Sequence, residues 1–257
     1  SLADAMGASS VAYSIAVVAQ SALRGLFEDL VPKVGYWPVL ESPRPPENVE
    51  TGRLDWYIAD GGNLDNSGVP AMLQRRAKRI VWWNNNFKIP RFVDFCNSSL
   101  GDTVAISSVD IFVGDKFGFS PNILGGRNQV FRKDALLPLM CELQVLFKAG
   151  KPAIVRRPKM EVVKNDWWGI EPYTVDLTLV YLDEVNDFVR ALPDETQQEI
   201  KSGTEFPTYP NYKTLFENGV GIDELSSLTD AQVNLLAAHA EYTVLAREGL
   251  FKRLLSA

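Results

Sequence analysis

The residues best suited to chemistry in this chain are Asp60-Gly61-Gly62-Asn63-Leu64-Asp65-Asn66-Ser67-Gly68. A β-prone run, Leu54 to Ala59, delivers the aspartate, and a helix pattern opens after Ser67. Open α/β folds place ligands at the carboxyl ends of their strands, which is where Asp60 would stand. Two glycines follow, so the backbone turns without side-chain obstruction. A carboxylate mounted this way can take a proton from a hydroxyl brought to it. The plainer reading is a strand-to-helix turn in which Asp60 only accepts backbone N–H groups. Asp65 is read as stabilising the start of the helix, because calcium needs six to eight oxygens and one carboxylate pair cannot supply them.

The elements that position this turn follow from periodicity. Val11, Ile15, Val18, Ala22 and Leu26 recur at helical spacing, so Val11 to Leu30 is expected to be a helix. Pro32, Pro38, Pro43, Pro45 and Pro46 make the stretch up to Arg53 a surface loop. Leu54–Ala59, a helix from Gly68 to about Ala77 capped by Ser67, and Arg79-Ile80-Val81-Trp82-Trp83 together predict one βαβ unit and a parallel sheet. Further on, Phe92–Asn97 and Val109–Phe117 are expected as short helices, and Ala135–Ala149 as a longer one stopped by Gly150. Ala153–Val155 and Val175–Tyr181 read as strands, Asp183–Leu192 and Asp194–Lys201 as helices. Thr229 caps a long final helix running through Leu250. The fold class is α/β.

Composition narrows the function classes. The chain has 257 residues, 46% apolar and 23% charged, which suits a globular domain with a real core. A net charge of -6 and a pI near 5.0 argue against general nucleic-acid binding. The cluster Arg75, Arg76, Lys78 and Arg79 is read as a solvated helix end. Cys96 and Cys141 are too few for a disulfide framework, and their apolar neighbours favour buried thiols over one optional disulfide, with a reducing compartment slightly preferred. Beyond cytoplasmic or peripheral-membrane, localisation stays open. No run of about 18 apolar residues exists to span a membrane as a helix. The single His239 sits among alanines and reads as a packed or surface residue, and so little histidine makes a His-rich metal site unexpected; no cofactor is expected.

The Asp-Gly-Gly turn after a strand, followed by an Asn-bearing helix start, resembles the second catalytic motif of patatins and cytosolic A-type phospholipases. Gly7-Ala8-Ser9-Ser10-Val11-Ala12 resembles the segment that opens a helix near the site in that family. Weaker matches are Tyr36-Trp37-Pro38, Leu73-Gln74-Arg75-Arg76, Phe206-Pro207 and Gln232-Val233-Asn234-Leu235-Leu236. Their order covers residues 5–83 and 205–243; the middle third resembles nothing identifiable. The resemblance implies a three-layer sandwich around a mostly parallel sheet, completed by a missing N-terminal portion or a partner chain. Residues 1–86 would form the second half of the catalytic core, 87–165 an insertion or lid, and 166–257 strands and a long helix packing on the core. It implies lipid acyl ester hydrolysis by a Ser–Asp dyad with Asp60 as the aspartate. Gly61, Gly62, Asn63, Asn66, Ser9 and Ser10 would shape the surroundings, and a lipid or membrane surface would be the substrate.

The sequence also departs from that pattern. It contains no Gly-x-Ser-x-Gly elbow and no Gly-rich oxyanion loop. Gly7-Ala8-Ser9-Ser10-Val11 lacks the closing glycine, so neither Ser9 nor Ser10 is assigned as nucleophile. The serine is expected on an upstream polypeptide, from the same precursor or a second chain. Ser1 as a self-cleaved N-terminal nucleophile is a weaker reading. The competing functions are a patatin-like subunit without catalysis and, further back, a nucleotide-binding domain lacking the usual phosphate motifs. Trp82-Trp83-Asn84-Asn85-Asn86 would brace a loop or line the pocket, and Trp167-Trp168 would face lipid or pack in the core.

Overall fold

A computed structural model describes residues 67–85, 88–119, 127–210 and 228–256, together with Asp65 and the backbone of two strands near the N-terminus. The chain forms two compact units, Ser1–Asn66 and Ser67–Ala257. In the first unit, β1 (Lys33–Tyr36) pairs antiparallel with β2 (Leu54–Tyr57), with Val34 opposite Trp56. The expected helix over Val11–Leu30 lies outside the described residues.

The second unit is built on a three-stranded sheet in the order β3 (Arg79–Asn84), β5 (Tyr173–Tyr181), β4 (Ala153–Val162). β3 runs parallel to β5, with Val81 opposite Thr178, and β4 runs antiparallel to β5. The expected βαβ unit is therefore not the pairing found. β2 belongs to a sheet with β1, and the parallel neighbour of β3 is β5, about a hundred residues further along the chain. A local pattern identifies a strand but not its partner. The broad class holds, since helices pack on a mixed sheet.

The sheet is covered on both faces. Leu177 and Leu179 of β5 join Leu136, Leu139, Met140 and Leu143 of α4 (Leu136–Lys148) in the main core. On the opposite face, Val180 and Ile154 meet Leu250 and Leu254 of α8 (Glu248–Leu255). Alternation along β5 assigns its odd and even residues to these two layers. The described part of residues 87–165 supplies α2 (Thr103–Ser107), α3 (Ile111–Lys116), α4 and β4 to this body, and Val113 and Phe117 enter the same core as β3.

Local signals explain most element ends. α1 (Val69–Gln74) starts after Gly68 in the left-handed region at φ 67°, with Pro70 in its first turn and Ser67 Oγ accepting from Val69 N–H at 3.1 Å. It stops short of the expected Ala77 because Arg76 takes φ 52°. Gly150 ends α4 at φ 74°, where an added Cβ would come within 3.2 Å of Asn186. Thr229 and Gln232 form a reciprocal capping box on α7 (Asp230–Leu245). The expected single final helix is two, because the chain leaves α-helix at Ala246–Arg247 before α8. Phe92–Asn97 is not helical: Asp94 accepts from Cys96 N–H and Asn97 Nδ2, a local alternative to helix bonding. α5 (Asn186–Ala191) and α6 (Asp194–Ser202) follow where expected.

The cysteines are a second correction. Cys96 and Cys141 form a disulfide rather than two buried thiols, with Cα atoms 4.7 Å apart. The fold lays the 91–97 loop along α4, and no sequence pattern across 45 residues could have shown that. The preference for a reducing compartment rested on free thiols and loses that basis.

Candidate functional site

The sequence-predicted site residues Asp60, Gly61, Gly62, Asn63, Asn66, Ser9 and Ser10 all lie outside the described residues. Their chain context is described on either side: β2 ends at Tyr57, and Ser67 leads into α1 at Val69.

Within the second unit, polar groups converge at the carboxyl ends of the parallel strands β3 and β5. Asn84 closes β3 and Tyr181 closes β5. Asn84 Nδ2 donates to Asp110 Oδ2 at 3.1 Å, and Asp110 also accepts from Phe112 N–H at 2.8 Å as the N-cap of α3. Asn84 therefore braces the next loop, the plainer of the two roles expected for it. Asp183, 2% exposed, accepts from Ile89 N–H at 2.7 Å, Glu184 N–H at 2.7 Å and both Arg91 terminal nitrogens at 2.9 and 2.6 Å. The Arg91 guanidinium lies over the Phe147 ring at 3.4 Å. Burial, with the Asp110 and Asp183 carboxylates, pushes the Tyr181 phenol above its ordinary range, and Arg91 opposes this.

An open groove of about 520 Å³ adjoins this cluster, lined by Lys88, Arg91, Phe92, Ser107, Ser108 and Asp110 among others. It holds both apolar and charged groups, but its serine hydroxyls are turned back: Ser108 Oγ donates to the Val104 carbonyl at 2.7 Å and Ser107 Oγ at 3.2 Å. Among the described residues of this groove, neither serine hydroxyl is hydrogen-bonded to a side-chain base.

Other expected features resolve as structure. His239 is fully buried, stacked on Phe188 at 5.2 Å and tilted against Tyr209 at 5.6 Å. Neither ring nitrogen has a hydrogen-bond partner, and burial pushes the imidazole down to about 4, with Asp183 opposing. It is a packing residue, as the alanine-rich helix suggested. The basic cluster is largely engaged: Arg75 caps Ala71 O, Arg76 lies over Tyr173, and Arg79 caps the carbonyls of Leu254 and Ser256. Trp168 Nε1 donates to Asn128 at 2.8 Å, while Trp167 is exposed beneath Arg127. Trp82 is core and Trp83 stacks on Phe251.

One buried cluster escaped the sequence reading. Lys116 and Asp115, 0% and 1% exposed, pair at 3.1 Å, and Asn128 Nδ2 donates to the same carboxylate oxygen at 2.7 Å. Gly114-Asp115-Lys116 resembles an ordinary polar helix end, so no residue-level signal marked it. Among the described residues no group of three or more His, Cys, Asp or Glu side chains could hold a metal ion. No family model, curated protein or solved structure matches this chain.

Proposed function

We propose that this chain is part of a lipid acyl ester hydrolase of the patatin-like kind, in which Asp60 is the base of a Ser–Asp dyad. The observation that carries the reading is chain context. Asp60-Gly61-Gly62 stands in the sequence between a strand that ends at Tyr57 and a helix that opens at Val69. The only histidine is packed in a core away from any hydroxyl partner, which favours a carboxylate over an imidazole as base.

In this reading a serine supplied by a polypeptide outside these residues attacks the ester carbonyl as Asp60 accepts its proton. The tetrahedral intermediate expels the alcohol, which takes that proton back. Water, deprotonated by Asp60, then attacks the acyl-serine carbonyl, and the serine oxygen leaves with that proton as the fatty acid is released. Gly61, Gly62, Asn63 and Asn66 shape the turn, and Ser9 and Ser10 lie near it. Substrates are phospholipids, lysophospholipids or galactolipids, and no cofactor is required. The finer architecture belongs to the same proposal: a three-layer sandwich whose sheet continues beyond β3. Arg79, Val81 and Trp83 turn their backbone groups away from β5, and no strand receives them among the described residues.

Asp60→Asn in the whole protein should abolish ester hydrolysis while leaving the fold intact by circular dichroism. Retained hydrolysis would refute the dyad. A second reading, a patatin-like assembly subunit without catalysis, is favoured by the lack of any Gly-x-Ser-x-Gly elbow in this chain. A fluorophosphonate probe that labels a serine of the native protein excludes it.

A further inference from the structure

Lys116, Asp115 and Asn128 form a polar cluster inside the core, 0%, 1% and 3% exposed. Around them Val113, Phe117, Val130 and Phe131 are fully buried, and the Phe117 and Phe131 rings lie 5.3 Å apart. The backbone fixes the arrangement. The Lys116 carbonyl accepts from the Val130 and Phe131 N–H groups, both at 2.9 Å, so the chain just after Asn128 is docked on the end of α3. Asp115 Oδ2 accepts from Lys116 Nζ at 3.1 Å and from Asn128 Nδ2 at 2.7 Å. Amine and amide nitrogens therefore flank one carboxylate oxygen. On the other side of the amide, Trp168 Nε1 donates to Asn128 Oδ1 at 2.8 Å.

Two features set this cluster apart from a plain buried ion pair. Asp115 Oδ1 is buried with no hydrogen-bond partner among the described residues, and a half-satisfied carboxylate in an apolar setting is costly. The other oxygen is shared between an amine and an amide whose carbonyl an indole N–H polarises. An amine, a carboxamide and a carboxyl group touching both nitrogens are the parts needed to condense the first two. We propose that Lys116 and Asn128 join in an intramolecular isopeptide bond that the folded protein makes itself, with Asp115 as the proton relay.

The step balances without a co-reactant. The Lys116 ammonium passes a proton to Asp115, which removes both buried charges and leaves a neutral amine. Nζ attacks Asn128 Cγ and the Nζ–Cγ bond forms, while the Trp168 N–H meets the negative charge that develops on Oδ1. Asp115 gives its proton to Nδ2 and takes one from Nζ. The Cγ–Nδ2 bond breaks and ammonia leaves. The products are a neutral amide cross-link and a protonated Asp115. Exclusion of water from the core keeps hydrolysis of the asparagine from competing.

The test is the intact mass of the whole protein with its disulfide reduced, followed by its tryptic peptides. Wild type should be lighter than its sequence by about 17 Da, the mass of ammonia, and this reading needs no variant to fold. Trypsin cannot cut after an acylated Lys116, so peptide 92–127 should be recovered joined to peptide 128–132. Lys116→Arg and Asp115→Asn should each show the full sequence mass. Wild type at the full sequence mass overturns the proposal. So does a deficit that persists in Lys116→Arg, which reports closure of an asparagine to a succinimide instead. Complete cross-linking in Asp115→Asn overturns the relay given to Asp115.

Discussion

Lowering the pH should unlock the packing around His239. Its imidazole is fully buried between Phe188 and Tyr209, with neither nitrogen hydrogen-bonded, and burial pushes its pKa from 6.5 down to about 4. Because the folded value lies below the unfolded one, the unfolded chain binds the extra proton first as pH falls. Stability from the neutral ring is fully present above about pH 6.5 and drains away toward pH 4. The gap corresponds to roughly 3 kcal/mol in total, of which about 2 kcal/mol is lost by pH 5. That is a large share of a typical domain's stability of about 5–15 kcal/mol. Carboxylates titrate nearby in pH, so the informative quantity is a difference. His239→Leu removes the titrating group and fills much of the same volume. Urea unfolding at pH 7.5 and pH 5 should show wild type losing about 2 kcal/mol more than the variant. The chain has one histidine, so a single imidazole resonance reports its pKa directly. A measured value near 6.5, or equal losses in both proteins between those pH values, would refute the reasoning.

Three further outcomes follow from other contacts of the fold. Cys96→Ser/Cys141→Ser frees a loop closed across 45 residues and should cost about 4 kcal/mol by chain entropy, read as a Tm lower by roughly 10 °C or more. Asp183→Asn removes one of the two carboxylate oxygens that bind Arg91 and the 89–91 backbone, and chemical denaturation should show a loss of about 2–4 kcal/mol. Asp134→Asn, which breaks an exposed pair with Arg132, should leave the denaturation midpoint unchanged and serves as the control.

Much of the secondary structure was legible because its causes are local. The capping box at Thr229 and Gln232, the apolar spacing behind α4 and the apolar run of β5 all act within a few residues. Phe92–Asn97 misled for the opposite reason: its apolar residues mimic a helix face, but Asp94 bonds its own backbone, and Gln144 and Asp183 pin the rest from distant elements. The Asp60-Gly61-Gly62 motif stood out in the sequence because paired glycines after an apolar run are local signals. The clusters around Asp183 and Lys116 did not, because their members are distant in sequence or resemble ordinary surface residues.

By itself, then, the sequence determined the α/β class, most element positions and the packing character of His239. Tertiary structure alone decided that β3 pairs with β5 rather than β2, that Cys96 meets Cys141, and that Phe92 is held in water. Periodicity and capping are short-range and can be read along the chain. Which strand, thiol or buried carboxylate meets which partner is settled by the burial of apolar surface across the whole molecule, and no window of sequence contains that sum.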